Sequence, residues 1–490
     1  MSKKENKKTI FSVIPGFIIS AIVFILEWTL SIMLVKSQMV PVKYVLAAIA
    51  AEIVLIIIIF LLTHRTYRKV CFVIGTVISV AFSAVMIYAV VALSRLTNTL
   101  DTITTIKTEI ANVGVYVLTD DDAETLNDLE NDVFGILDEL DRDNTDKALN
   151  KLNTELGVNV STAEYSGLTY IIDALYDGEC RAIILNSAYL DVLSEMEGYE
   201  DIDDNIREVT MLEVEETVEE TAEDDSDTSD SVFTVYISGI DSRNGLLAKS
   251  RSDVNILAVV NTETHQILLV STPRDYYVEL SISNGAKDKL THAGIYGVQV
   301  SMDTLAMLYD TDVDYYFRIC FEGVEDIVDA LGGVSVYSEY AFSTGTYSYT
   351  QGYNYLNGEE ALAFVRERHA FASGDRQRGK NQMALIQAVI DAAISPEILT
   401  NYSSLLASME GNFETSVSYN MIASLVNNQL EDGGSWDVIT YSVDGTGSSA
   451  VPYSMSTTAY VMIPDETTVA TAKELIQSVL AGEVITQPEE

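Results

Sequence analysis

The chain has 490 residues, which is room for two or three domains. Its formal net charge is −44, from 29 Lys and Arg against 73 Asp and Glu, so it lacks the basic surface that nucleic-acid binding requires and no nucleic-acid partner is expected. Hydrophobic residues still make up 48% of the chain, which indicates membrane spans joined to a polar remainder, and its three cysteines are too few for a disulfide framework.

Three apolar segments, residues 10–35, 42–62 and 70–93, open the chain, and each approaches or exceeds the ~20 residues that cross a bilayer. The N-terminus MSKKENKK and the loop THRTYRK are basic, so the positive-inside rule predicts a multi-pass membrane protein with a cytoplasmic N-terminus. Everything after about residue 95 is then extracellular. A cleaved signal peptide fits less well, because the first run is long and lacks a small-residue cleavage site. Glu27 and Glu52 lie inside the spans, and a structural role is favoured for both.

Residues 96–212 are predicted to form a small α/β accessory domain. TITTIKTEIANVGVYVLTD is predicted to be a helix or linker that turns into an alternating strand, and DDAETLNDLENDVFGILDELD has apolar residues at helical spacing. A helix over residues 168–176, a turn and a buried strand over 181–185 follow. This region has no cluster of catalytic residue types, which favours an accessory or partner-binding role. Residues 213–231 are acidic and poor in apolar residues, which predicts a solvated linker.

Residues 232–394 alternate strands and helices, which predicts an extracellular α/β layered domain whose loops carry the function. VFTVYISGI is a buried strand, and VNILAVV and QILLVS flank a polar turn as a hairpin. VQVSMDTLAMLYD is a predicted helix, DYYFRICF a strand, EGVEDIVDALGG a helix closed by glycines, and VSVYS a strand. Residues 395–490 are predicted to be a C-terminal extension of mixed structure, including a strand over 459–463.

Arginines concentrate in this domain although the chain is strongly acidic. Because a guanidinium group offers a planar, permanently charged fork that suits phosphate oxygens, they predict a site for a phosphorylated ligand. The arginines between residues 240 and 380 that carry this inference are Arg243, Arg251, Arg274, Arg366, Arg368, Arg376 and Arg378.

Two aspartates lie at the ends of neighbouring predicted strands. Asp241 follows one buried strand and Asp253 precedes the next. Together they could hold a hard cation such as Mg²⁺, which prefers oxygen ligands, or they could simply cap turns. The spacing alone does not separate these readings.

The segment FVRERHAFASGDRQRGKNQ is the strongest single motif. A short strand FVRER after the helix GEEALA would direct Arg366 and Arg368 to one face. A second helix is predicted to begin near Asp375, with Asp375, Arg378 and Gln382 on one side and apolar residues on the other. A solvated charged helix face would explain the second pattern, but it does not explain two arginines after an apolar run.

Two weaker motifs add charged residues. Arg274 and Asp275 follow a buried strand and form either a loop salt bridge or an exposed site. Lys289 and His292 precede a glycine-containing turn into a helix, and helix N-termini attract anions. For His292, a hydrogen-bonded structural role is favoured over acid–base work.

Taken in order, several motifs resemble the extracellular domain of the LytR–CpsA–Psr family. They are GIDSR, RSDVNILAVVN, STPRD, DKLTHAGIYG, FEGVEDIVDALGGV, LNGEEALAFVRERH and GDRQRGKNQ. The three spans and the accessory domain resemble the capsule-biosynthesis branch in particular. The resemblance implies a catalytic domain with a mixed central sheet, anchored in the cell membrane of a Gram-positive-type envelope.

The resemblance also implies a function. Such proteins transfer a glycopolymer, capsular or teichoic-acid-like, from a polyprenyl-pyrophosphate carrier to peptidoglycan and release polyprenyl phosphate, with capsule assembly proteins as further partners. Asp241 and Asp253 would hold Mg²⁺ or Mn²⁺. The pyrophosphate would be surrounded by Arg251, Arg274, Lys289, Arg366, Arg368 and Arg378, with Arg243 and Gln382 as further contacts. Asp275 would be the base, and Asn381 stands where many relatives carry another arginine.

Two other classes remain open at this stage. One is a hydrolase that splits the same pyrophosphate with water instead of a sugar hydroxyl. The other is a non-enzymatic scaffold or regulator of a capsule assembly complex.

Overall fold

A computed structural model describes residues 3–64, 68–104, 108–217, 231–240, 247–393 and 411–488. The chain divides into two units, one of Met1–Thr104 with Val417–Ser435 and the other of Thr105–Ser416 with Trp436–Glu490. The predicted domains from residue 105 onward therefore form a single unit, apart from one helical segment near residue 420.

Helices α1 (Lys3–Ser37), α2 (Val42–Thr63) and α3 (Lys69–Thr104) begin the chain. Each is long and apolar enough to cross a membrane, which confirms the prediction of three apolar helices. Large apolar side chains such as Phe24 and Trp28 are more than half exposed, as expected of surfaces that face lipid.

The accessory domain is a five-stranded mixed sheet with helices on both faces. Its strands run in the order β3-β2-β4-β1-β5, with β1 antiparallel to β4 and β5 and with β2 parallel to β3 and β4. The elements are β1 (Thr108–Leu118), β2 (Val133–Leu137), α4 (Arg142–Leu156), β3 (Ser161–Tyr165), α5 (Leu168–Tyr176), β4 (Ala182–Asn186), α6 (Ala188–Leu193), α7 (Ile202–Asn205) and β5 (Ile206–Thr217).

Two predictions in this region are wrong. Residues 121–141 do not form an amphipathic helix: Leu126–Leu129 is a single 3-10 turn, and VFGIL is strand β2. Phe134, Ile136 and Leu137 of this strand are buried on both faces of the sheet, so their spacing reflects two-sided burial and not helical period. Strand β5 continues to Thr217 in register with β1, so the acidic run does not begin as a linker at residue 213. Residues 218–230 of the predicted linker lie outside the described residues.

Asp141 gives the accessory domain a predictable pH dependence. It precedes α4 in the left-handed region (φ 54°), and its carboxylate accepts hydrogen bonds from the Asn144 and Asn186 side-chain amides at 2.7 and 2.8 Å. Burial raises the pKa of Asp141 to about 6. Because this folded-state pKa lies above the unfolded value, the stabilisation is complete below about pH 4 and is lost as the pH rises through 6.

We therefore expect Asp141→Asn to stabilise the accessory domain at neutral pH by about 2 kcal/mol and to have a smaller effect at pH 4.5. Melting temperatures of the full-length protein in detergent, measured at pH 4.5, 5.5 and 6.5, would check this. Asp143→Asn, on an exposed residue of the same helix, is the control. A difference between variant and parent that does not grow with pH would contradict the assignment.

Apart from α12, the second domain of this unit has 14 strands and five α-helices among the described residues. They are β6 (Val232–Ile240), β7 (Ser252–Asn261), β8 (Gln266–Ser271), β9 (Tyr277–Glu279), β10 (Lys287–Lys289), α8 (Val298–Tyr309), β11 (Tyr315–Cys320), α9 (Phe321–Ala330), β12 (Val334–Ser338), β13 (Phe342–Ser343), β14 (Ser348–Tyr349), β15 (Gly352–Leu356), α10 (Gly358–Arg366), α11 (Asp375–Ala393) and β16 (Phe413–Thr415). The remaining elements are α12 (Tyr419–Asp432), β17 (Asp437–Ser442), β18 (Gly445–Ala450), β19 (Ala459–Pro464) and α13 (Glu466–Leu480).

A six-stranded mixed sheet, in the order β16-β11-β6-β7-β8-β17, forms the centre of this domain. The predicted hairpin is β7 and β8, and β6 pairs antiparallel with β7 and parallel with β11. Helices α8 and α13 cover one face through Met302, Leu305 and Ile476. Helix α11 covers the other face through Met383. The predicted α/β layered architecture with a mixed central sheet is confirmed.

The central sheet extends beyond residue 394, the predicted end of the catalytic domain. Strand β16 pairs with β11 on one edge of the central sheet, and β17 pairs with β8 on the other. Helix α13 then packs on the sheet through Val469 and Ile476. Sequence patterns alone missed this because β16 has only three residues and β17 follows a helix that belongs to the other unit.

Helix α12 packs within the first unit, against the turn that joins α1 and α2. Tyr419 Oη donates to the Ser37 carbonyl at 3.3 Å, and Asn427 Nδ2 donates to the Gln38 carbonyl at 2.9 Å. Lys43 and Glu431 form an exposed ion pair at 3.0 Å. The α1–α2 turn and α12 therefore lie on the same side of any membrane that the apolar helices cross.

Candidate functional site

Four arginines converge on one cavity of about 220 Å³ beside the central sheet. Among the described residues that line it, Asp253 is the only carboxylate, so a chain of net charge −44 has a strongly cationic cavity. Such a site suits a multivalent anion, because guanidinium groups bind phosphate oxygens in pairs. The lining residues are Asp253, Arg274, Phe321, Val365, Arg366, Arg368, Arg378 and Gln382.

Arg366 and Arg368 reach the cavity from the end of α10. Asn357 caps this helix in a capping box with Glu360, which fixes where the helix starts. The helix runs through Arg366 and ends at Glu367, whose backbone is extended. The predicted strand FVRER is therefore wrong, although both arginines do face one site. The arginines are brought together by the break after the helix and not by strand alternation.

An aromatic ring holds Arg366 in place. Its guanidinium group lies over the Phe321 ring, 4.6 Å from the centroid. Phe321 begins α9, directly after strand β11. A cation–π contact orients the guanidinium group. Nothing in the sequence pattern singled out Phe321 for this role.

Helix α11 supplies Arg378 and Gln382, as predicted. Both are buried, and Arg378 Nη2 lies 2.6 Å from Asp375 Oδ1. Burial lowers the pKa of Arg378, while burial raises the pKa of Asp375 against the opposing charge of Arg378. Both shifts mean that these charges are poorly solvated, and an anionic ligand would stabilise Arg378.

Asp253 and Arg274 form the opposite wall. Arg274 Nη1 donates to Asp253 Oδ1 at 2.8 Å, and Arg274 Nε lies 3.8 Å from Asp275 Oδ2. Burial tends to raise the pKa of Asp253, but the positive charge of Arg274 outweighs it and the pKa is lowered. Asp253 is therefore ionised at neutral pH. Of the two predictions for the Arg274–Asp275 motif, the salt bridge is observed, and Arg274 also lines the cavity; the motif as a site stays a prediction.

Arg251 and Lys289 lie outside the cavity lining, in contrast to their predicted place around the pyrophosphate. Lys289 Nζ lies 3.5 Å from Asp275 Oδ1 and 3.1 Å from Glu195 Oε2. Arg251 Nη1 donates to Glu195 Oε1 at 2.5 Å. Both cations are thus next to the cavity, and a carboxylate of the accessory domain is between them. No signal in the sequence pointed to Glu195.

A second, apolar cavity of about 300 Å³ adjoins the first. It lies between the central sheet and helices α9 and α11, and it shares Phe321, Val365 and Gln382 with the arginine cavity. Its other lining residues are Ile237, Gly239, Val254, Phe317, Ile319, Val324, Ile327, Leu385, Ile386, Val389, Ile390 and Phe413. The sequence predicted apolar residues on α11, including Ile386, Val389 and Ile390, but could not distinguish a cavity from a filled core.

The predicted metal pair is described only in part. Asp241 and Arg243 lie outside the described residues. Asp253 lines the arginine cavity, and an aspartate oxygen fits a hard cation that takes its other ligands from water and phosphate. Among the residues with a described position, no group of three or more His, Cys, Asp and Glu is arranged to hold a metal.

His292 and the cysteines agree with their predicted structural roles. The His292 ring is fully buried, with Nδ1 2.7 Å from Asp288 Oδ1 and 2.8 Å from Ser454 Oγ. It does not line either cavity. Cys71, Cys180 and Cys320 are free thiols.

The sequence profile of the LytR_cpsA_psr family matches residues 200–477, which is more than half of the chain and includes every lining residue of both cavities. Among curated proteins, the chain is 34% identical over 214 residues to the polyisoprenyl-teichoic acid–peptidoglycan teichoic acid transferase TagU of Bacillus subtilis (strain 168), covering 43% of this chain and 69% of the relative. TagU of Bacillus licheniformis is 36% identical over 188 residues, covering 38% of this chain and 60% of the relative.

Solved structures of related proteins are also similar to part of the chain. The crystal structure of B. subtilis TagU is 28% identical with a TM-score of 0.41, covering 52% of this chain and 100% of that one. A structure described as TagT bound to LI-WTA is 28% identical with a TM-score of 0.42, covering 53% of this chain and 95% of that one.

Proposed function

This chain belongs to the LytR–CpsA–Psr family, and we propose that it moves a glycopolymer from a polyprenyl-pyrophosphate carrier to peptidoglycan. It is an enzyme of the phosphotransferase type with three apolar N-terminal helices as its membrane anchor. One observation carries the proposal: a cavity lined by four arginines among the described residues adjoins an apolar cavity, and three residues line both. A diphosphate attached to a long hydrocarbon chain needs such a pair of neighbouring cavities.

The donor binds with its diphosphate among Arg274, Arg366, Arg368 and Arg378 and with its polyprenyl chain in the apolar cavity. Cleavage of a diphosphate requires neutralisation of charge on the oxygens more than covalent chemistry by the protein. The burial of Arg378 strengthens its attraction to a phosphate oxygen, because little water competes. Gln382 lies at the junction of the cavities, where the phosphate meets the chain.

The acceptor is a sugar hydroxyl of peptidoglycan. Its oxygen attacks the phosphorus that carries the polymer, the bond from that phosphorus to the bridging oxygen breaks, and polyprenyl phosphate leaves. The new bond is a phosphodiester between polymer and peptidoglycan. Asp275, held between Arg274 and Lys289, takes the proton of the attacking hydroxyl.

The site also suits Mg²⁺ or Mn²⁺, with Asp253 and Asp241 as the protein ligands. When bound, the ion would neutralise charge on the phosphate oxygens. Asp253 is held ionised by Arg274, as a ligand to a hard cation must be. Arg243, which follows Asp241 in the chain, is a further contact to the pyrophosphate in this proposal.

The catalytic domain lies outside the cell and the N-terminus lies in the cytoplasm. The contacts of α12 with the α1–α2 turn support this arrangement, since one span separates that turn from the basic N-terminus. The polymer transferred is a capsular polysaccharide or a teichoic-acid-like chain, and capsule assembly proteins are further partners.

The full-length protein in detergent, offered a polyprenyl diphosphate-linked oligosaccharide and polymer-free peptidoglycan, is expected to attach the oligosaccharide through a phosphodiester. Mass spectrometry of digested peptidoglycan detects this product, and a chelator should abolish it until Mg²⁺ is restored. Free oligosaccharide phosphate without a linked product would identify a hydrolase. If the donor is neither cleaved nor transferred, the protein is a scaffold and the proposal is wrong.

A further inference from the structure

A continuous chain of alternating charges runs from the arginine cavity to the accessory domain. Asp253 pairs with Arg274 at 2.8 Å, Arg274 approaches Asp275 at 3.8 Å, and Asp275 approaches Lys289 at 3.5 Å. Lys289 pairs with Glu195 at 3.1 Å and Arg251 pairs with Glu195 at 2.5 Å. Each member faces neighbours of opposite charge, so a change at Glu195 alters the field at the cavity.

Glu195 lies outside the part of the chain that the family profile matches. The family match begins at residue 200, whereas Glu195 lies in the turn that follows α6 of the accessory domain. The turn is fixed by its neighbours, since Leu193 and Met196 are buried in the accessory core. The fold of the accessory domain therefore fixes the Glu195 carboxylate beside Arg251 and Lys289.

The two cations dominate the environment of Glu195. Partial burial would raise its pKa, but the charges of Arg251, Lys289 and Arg274 outweigh burial and lower the pKa to about 2. The carboxylate is thus negative throughout the physiological range. It neutralises two cations whose side chains are only 18% and 5% exposed and whose other carboxylate neighbours are more distant, Asp191 at 3.8 Å from Arg251 and Asp275 at 3.5 Å from Lys289.

We propose that Glu195 is a specificity-determining residue, which disfavours donors that carry further negative charge next to the diphosphate. An additional negative group on the donor, next to the diphosphate, must either displace the Glu195 carboxylate from Arg251 and Lys289 or bind beside the negative charge of that carboxylate. Both disfavour binding. A donor with a neutral first sugar needs no such displacement. The inference rests on the proposed function, and it assigns the accessory domain a role in selecting the polymer.

Two synthetic donors test this directly. They share one polyprenyl diphosphate and one first sugar, and one of them carries a glycerol phosphate on that sugar. Dissociation constants and transfer kinetics are measured with the full-length protein in detergent. The variants are Glu195→Gln, Glu195→Asp as the conservative change, and Glu197→Gln as the control on an exposed glutamate two residues away.

Glu195→Gln is expected to improve binding of the anionic donor relative to the neutral one by about tenfold, chiefly through KM and with little change in kcat. The preference between the two donors should be close to that of the parent in Glu195→Asp and equal to it in Glu197→Gln. A residue that only joined two domains would lower the melting temperature and change both donors alike, and that result overturns the inference. An unchanged preference in Glu195→Gln also overturns it.

The dissociation constants of the two donors distinguish a failure of the proposed function from a failure of the inference on Glu195. If the parent binds both donors but transfers neither, the proposed function fails, while the ratio of dissociation constants still decides the role of Glu195. If the parent transfers and the ratio does not move in Glu195→Gln, the inference on specificity fails alone.

Discussion

The double variant Arg366→Ala, Arg368→Ala is expected to lose transfer activity by at least about 10³-fold, the scale on which arginines act in phosphoryl transfer. Both side chains line the cavity that would hold the diphosphate, and Arg366 is oriented by Phe321 at 4.6 Å. Their removal halves the number of arginines there, so charge on the phosphate oxygens is no longer neutralised. The measurement is single-turnover transfer from a polyprenyl diphosphate donor to polymer-free peptidoglycan.

Arg142→Ala is the matched control, because it removes an arginine of the accessory domain that pairs with Asp146 and Glu164 and is remote in sequence from the cavity lining. Arg366→Lys, Arg368→Lys should recover only part of the activity, because lysine offers a point charge and not a planar fork. An alanine double variant that transfers within tenfold of the parent, with an unchanged melting temperature, would show that the arginine cavity is not the site of reaction.

The convergence of these arginines could be predicted from the sequence, but not the way in which it is achieved. The apolar residues before Arg366 are expected to be buried. The charged residues that begin with Arg366 are therefore expected at the end of the helix or strand that carries those apolar residues. The alternation of FVRER suggested a strand, whereas the capped helix that starts at Asn357 continues through Arg366. Five residues fit both a helical and a strand pattern, so packing decides which one forms. Here Phe364 and Val365 pack in the core as part of the helix.

Contacts between segments that are far apart in the chain could not be predicted from local sequence patterns. Glu195 lies 94 residues before Lys289, and nothing in its local pattern separates it from Glu197. The apolar cavity was hidden for a similar reason. Ile386 and Val389 have the spacing of core residues, and only the tertiary arrangement leaves space between them and the central sheet.

A buried ion triad joins the accessory domain to the central sheet. Arg318 of β11 lies between Glu109 of β1, at 2.7 Å, and Glu414 of β16, at 2.6 Å, and all three side chains are at most 6% exposed. Glu109 also accepts a hydrogen bond from the backbone N–H of Val298 at the start of α8. Such a triad stabilises the folded protein little more than apolar residues in its place would, but the loss of one member is strongly destabilising.

Arg318→Met is therefore expected to destabilise the protein by about 3–5 kcal/mol, because it leaves two buried carboxylates without their cation. In a unit of this size the melting temperature should fall by about 5 °C. Thermal unfolding of the full-length protein in detergent measures the fall. Replacing all three residues, as Arg318→Met with Glu109→Gln and Glu414→Gln, should recover most of it, since no charge then remains buried.

The pH dependence separates buried charge from lost packing. Burial raises the pKa of Glu414 even in the presence of Arg318. A folded-state pKa above the unfolded one means that stability is greatest below about pH 4.5 and is lost as the pH rises, and Arg318→Met should enlarge this effect. The deficit of Arg318→Met should thus shrink between pH 7.5 and pH 5, whereas a packing defect would persist unchanged. A loss of less than 2 °C at pH 7.5, or a deficit independent of pH, would mean that the triad does not hold the accessory domain to the sheet through charge.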